Sequence, residues 1–134
     1  MKLTELITGD QPETRNLAFD HWVSGKGLTQ LQAAADELEE FRRQTNSLYE
    51  KVRALVFLSA LHRFHIAPIA NGSSLIPYSA IDQIRSRHFE KAVQELLAVQ
   101  QQHGSSAPLS SAIGAAYRGL AFETLADQLK ILMQ

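Results

Sequence analysis

The chain contains no cysteine. Disulfides, thiolate nucleophiles and cysteine-ligated zinc are therefore excluded. A fold built without disulfides is expected in the cytoplasm, where thiols stay reduced. Charge of one sign is also lacking: 13 Lys and Arg face 14 Asp and Glu, for a net charge of −1. Nucleic acid is not the expected partner, because phosphate binding needs clustered, uncompensated cations. The densest basic pair, Arg42-Arg43, follows directly on Glu37, Glu39 and Glu40 and reads as a solvated helix end. No long hydrophobic run appears. The longest, ALVFLSAL at 54–61, is far short of the ~20 residues that span a bilayer. MKLTELITGDQPE at the start has no apolar signal core and turns acidic at once, so no membrane association is expected.

Strand-like alternation is nearly absent, and what remains reads as helix. With 134 residues, 45% hydrophobic and 20% charged, the chain has the size and composition of one globular domain. Glycine and proline are few, seven and four, and most of them punctuate helices. Asp10-Gln11-Pro12-Glu13 has the form of a capped start for a helix carrying Leu17, Ala18, His21 and Trp22. Ser24-Gly25-Lys26-Gly27 stops it. Thr29 with Gln32 forms a second capping box, and Leu31, Ala34, Ala35, Leu38 and Phe41 follow at helical spacing.

Ser47 with Glu50 opens the third helix, and here the pattern changes. Leu55, Val56, Phe57, Leu58, Ala60 and Leu61 point in every direction around the axis. A helix apolar all round belongs at the centre of a bundle, so 47–66 is expected there until Ala67-Pro68 ends it. Residues 67–77 form the one substantial loop, with Leu75 and Ile76 expected to fold back on the core. Ser79 then caps a long fourth helix reaching His103, where Gly104 supplies the stop. The last helix begins near Pro108. Its interior Gly114 and Gly119 each cost about 1 kcal/mol against alanine, which implies that another helix crosses very close. Apolar residues are still arriving at Leu132-Met133-Gln134. That ending reads as the front module of a longer protein, or as a last turn that packs on a partner. The fold expected is all-α: one domain over 1–134, an antiparallel bundle of about five helices around 47–66.

Between 89 and 126, Ala92 and Leu96, then Ile113-Gly114 and Tyr117, then Ala126 occupy positions of a tetratricopeptide-repeat boundary, in which small and aromatic residues recur over about 34 residues. The segment resembles the back helix of one repeat leading into the front helix of the next. It departs from the pattern at Ser110, Gly104 and Lys130, where the family has tryptophan, proline and an aromatic. The resemblance implies a helical stack whose concave face binds a peptide or another protein.

Two constellations could carry chemistry. His62 and His65, three apart at the end of the central helix, share a helical face and with Arg63 could hold a metal or an anion. Zinc would need a further ligand, from His21, His88 or a glutamate. The structural alternative is that these histidines cap the last carbonyls of the helix and complement its dipole. Arg85 and His88 point into the apolar face of the fourth helix. Arg85 there needs either a core carboxylate, Glu123 or Asp127, or a ligand carboxylate or phosphate. Trp22 and Tyr49 read as core anchors. No phosphate loop, nucleophile elbow or cofactor motif is present. A protein-interaction or scaffolding module without catalysis is the expected function, acting through a protein partner or homo-oligomer on the C-terminal helix. A small-molecule- or metal-binding bundle is the alternative.

Overall fold

A computed structural model describes residues 3–8 and 19–133. The expected start at Asp10–Glu13, with Leu17 and Ala18, lies outside the described residues. Helix is the only regular structure among those described: α1 (Leu3–Thr8), a short helical stretch over residues 19–23, α2 (Leu28–Gln44), α3 (Leu48–Ala60), α4 (Tyr78–Arg85), α5 (Phe89–His103) and α6 (Ala107–Leu132). The all-α fold is as the sequence predicts, with more and shorter helices than the five expected.

The caps explain most boundaries. The Ser47 N–H bonds Thr45 Oγ1 rather than Glu50, while the Ser47 hydroxyl accepts the Glu50 N–H at 3.3 Å, one half of the box expected there. Ser106 does the same for Leu109 at 3.2 Å, one turn into α6, with Pro108 in that turn. At α2 the cap is Gly27 rather than Thr29, and the Gln30 side chain accepts the Gly27 N–H at 3.1 Å. Gly104 ends α5 with φ 84°.

The expected fourth helix is two helices. Arg87 adopts a left-handed φ of 64°. His88 N–H then reaches back to Gln83 O at 2.8 Å, and Arg87 N–H to Ile84 O at 3.1 Å. That pair of bonds is a Schellman closure, normally built on glycine. With arginine in the glycine position, no residue type announced it. The loop before α4 also differs from expectation. Leu75 is 81% exposed, while Ile76 does pack against the core. What pins the loop is polar: Gly72 N–H to Ser105 O at 3.0 Å, Ser74 Oγ to Gly104 O at 2.6 Å, and Ser106 Oγ to Ser74 O at 2.8 Å.

Helix α3 lies between α2 and α6, and Leu55, Leu58, Leu61 and Ile66 are buried. Beyond Ala60 it continues as a π turn over Leu61–Ile66 and a 3-10 turn over Ala67–Ile69. The run Leu48–Ile69 just reaches the length and mean hydropathy, 1.2, of a membrane span, which the run at 54–61 alone does not. Less than half of its most apolar window, 44%, is buried in the fold. Helix α6 runs antiparallel along α3. A Cβ on Gly114 would sit 2.9 Å from Arg63 Cβ and 3.0 Å from Ser59 O, and one on Gly119 would strike the Phe89 ring. Both interior glycines thus mark close approaches.

Central burial of 47–66 holds on one side only. Val56 is 50% and Phe64 61% exposed, and Tyr49 is exposed rather than a core anchor. Trp22 is half-buried against the core, with Lys26 Nζ 4.8 Å above its ring.

Candidate functional site

The residues expected to carry chemistry fall on different surfaces. His62 is buried and its ring stacks on Tyr117 at 5.7 Å. His65 is half-buried, edge-on to Phe19 at 5.8 Å. Both lie in the π turn, where Ala67 N–H bonds His62 O. An i→i+5 turn widens the coil, so residues three apart no longer stack as they do on an α-helix. Arg63, between them, is exposed, its guanidinium 5.3 Å from the Phe64 ring. Arg85 and His88 are exposed at either side of the break between α4 and α5. The break removes the single apolar face on which both were expected, and Arg85 makes no ion pair with Glu123 or Asp127. No group of three His, Asp or Glu among the described residues could hold a metal ion.

The polar network that does form centres on a residue read from the sequence as solvent-facing. Arg42 is 4% exposed. Its guanidinium donates to Glu39 (Nε–Oε1 2.6 Å, Nη2–Oε2 3.1 Å) and to Glu90 (Nη2–Oε1 2.7 Å, Nη1–Oε2 3.0 Å), forked on both. Arg43 donates to the same carboxylates at 2.6 and 2.9 Å. The Tyr117 hydroxyl donates to Glu39 Oε1 at 2.7 Å. Two cations thus meet two anions, and the cluster ties α2 to α5 and α6. Burial opposes the Arg42 charge, but the hydrogen bonds it donates to Glu90 and Glu39 outweigh it and hold its pKa above the ordinary value. The Arg42 hydrogen bond holds the Glu90 carboxyl below its usual range. Burial, then the Glu39 charge, pushes the Tyr117 phenol well up. A signal for Arg42 existed: it lies four residues after Leu38, on the stripe of Leu31, Ala34, Ala35 and Leu38. Charge alone does not say that such a position is filled by a paired guanidinium.

His62 borders this network without joining it. Neither ring nitrogen has a hydrogen-bond partner, and burial lowers its pKa from 6.5 to about 4. It is a neutral imidazole used as a flat filler against Tyr117. A base in such a place has no open path to a substrate. The cluster therefore reads as a bolt between helices, with every charge compensated internally.

The open site is apolar and lies on the outer side of α3. Val56, Ala60 and Phe64, four apart, form one wall of a groove of about 270 Å³, and Ala121, Phe122 and Leu125 of α6 form the other. Arg63 and Arg118 stand on its rim, and no carboxylate lines it. Phe122 is 58% exposed. From there the apolar surface continues along α6 through Leu129, 59% exposed, and Leu132. The sequence predicts core character for Val56 and an apolar C-terminal helix, but it cannot show that these two surfaces adjoin. No family model, curated protein or solved structure matches this chain.

Proposed function

We propose that the protein is a helical interaction module that acts by docking and has no catalytic step of its own. The observation that carries this reading is the contiguous exposed surface of Val56, Phe64, Phe122, Leu125, Leu129 and Leu132. At about 150–250 Å² per aromatic side chain and somewhat less per aliphatic one, it leaves on the order of 600 Å² of apolar surface in water. That is at the top of what monomers expose and approaches the ~800 Å² per partner of a standard interface. A second support is the antiparallel α5–α6 hairpin, which carries the repeat-like positions Ala92, Leu96, Gly114 and Tyr117. The absence of cysteine favours a cytoplasmic setting.

The ligand-binding alternative has less behind it, since His62 and His65 diverge and Arg85 and His88 are exposed apart from them. A benzophenone side chain at Phe122 tests the docking reading in cells that naturally make the chain, with the same probe at exposed Glu37 as control. A discrete adduct from Phe122, absent from Glu37 and abolished by Leu125→Glu, is expected. Equal labelling from the two positions, or none from either, overturns the reading.

A further inference from the structure

Helix α6 changes character at Ala121. Before it, Leu109, Ile113, Ala116, Tyr117 and Leu120 are all buried. After it, no residue is buried, yet the helix continues to Leu132. A stretch of that length is marginal as an isolated helix in water, so its apolar side needs cover. The large exposed residues there are Phe122, Leu125, Leu129, Ile131, Leu132 and Met133, and four of them, Phe122, Leu125, Leu129 and Leu132, are spaced three, four and three apart. That spacing is the a/d seam of a two-helix coil, with Met133 beside it and Ile131 off it.

We infer that the partner on this face is a second copy of the chain, the two α6 tails packing antiparallel across a two-fold axis over the α3/α6 groove. This rests on the interaction reading above and gives it an occupant. Three features point to self-pairing. The flanking e and g positions are Ala121, Ala126, Gln128 and Met133. They are small or uncharged, so nothing there selects a foreign helix or repels a like one. Self-complementary two-fold interfaces are the commonest way to close such a surface. The exposed apolar area also approaches what one half of a dimer needs.

The direction follows from charge. Arg118 lies on the same seam, four residues before Phe122. A parallel pair would set Arg118 against its own copy, at a like-charge cost. An antiparallel pair sets it towards the partner's Leu129 end, and it also opposes the two helix dipoles favourably. With Phe122 of each copy set against Leu125 of the other, the axis falls on the groove. Val56 and Phe64 are then covered by the same contact.

Sedimentation of the full chain from low-micromolar to submillimolar concentration decides the matter. The expected result is a mass rising from 14.9 kDa to twice that value. Leu129→Glu should weaken association about 30-fold or more, as loss of an interface hot spot does, with the far-UV spectrum of the bundle kept. A wild-type chain that stays at 14.9 kDa throughout overturns the second copy. If Phe122 then crosslinks to a different protein, the docking reading survives that failure; if it crosslinks to nothing, both fall. Because the chain has no cysteine, Met133→Cys reports direction cleanly. An antiparallel dimer stays unlinked under mild oxidant, and a disulfide-linked dimer overturns the antiparallel arrangement.

Discussion

Helix α6 up to Ala121 and helix α6 beyond it are built from different residues for different neighbours. In the first half glycine and alanine stand where α3 and the Phe89 ring come closest, and the large side chains point into the core. In the second half large apolar residues, Phe122, Leu125, Leu129 and Leu132, stand exposed, and no described residue there is buried. Size is thus small where packing is closest and large on the exposed face. The first half supplies stability. Large apolar residues left exposed supply little to the monomer, so they are the ones available to recruit another surface. The two sides of α3 repeat the contrast, with Leu58 and His62 inside and Val56 and Phe64 outside.

The largest difference between the halves should appear on truncation. Leu58→Ala, at a fully buried position, is expected to cost about 2–5 kcal/mol. Leu129→Ala should stay within about 0.5 kcal/mol at dilute concentration, as exposed sites do. Urea unfolding of both variants measures this, and comparable losses would erase the distinction.

Acid should act on the inner side next. Below pH 6.5 the unfolded chain takes up a proton at His62 that the folded chain refuses until about pH 4. The folded state therefore loses stability as pH falls from 6.5 to 4 and loses no more from this group below that. The full loss is about 3 kcal/mol. Carboxylates such as Glu90 add their own loss further down, so the difference between wild type and His62→Leu isolates the imidazole. Parallel pH profiles for the two proteins would contradict a neutral, unpartnered His62.

Tyr117→Phe is expected to have a smaller effect, about 1.5 kcal/mol, because Glu39 Oε1 keeps its 2.6 Å bond from Arg42. Thermal or urea unfolding checks it, and a neutral result would show that the hydroxyl does not anchor α6 to α2.

Whereas α2 is capped at Gly27 rather than Thr29 and α4 starts after Pro77 with Ser79 inside it, residue types at two helix ends, Ser47 and Gly104, were legible. So were the inward face of 47–66 and the meaning of Gly114. Three features were not. Arg87 closes a helix in a conformation that residue type does not signal, because the closure is set by Gln83 and Ile84 carbonyls. Arg42 was legible as a position on an apolar stripe but not as a buried charge, since its partner Glu90 lies 48 residues away. The groove joins α3 to α6 across a similar separation, and a one-dimensional pattern shows each wall without their contact. His62 and His65 were paired on α-helical spacing, which a π turn does not keep.

Amide hydrogen exchange along α6, in dilute solution and again at high concentration, tests the division at Ala121 most directly. The account predicts strong protection over 109–121 at every concentration, and weak protection over 122–132 that rises as copies associate. Strong protection of 122–132 in dilute solution, equal to that of 109–121, would mean that the chain covers this surface itself, and would contradict it.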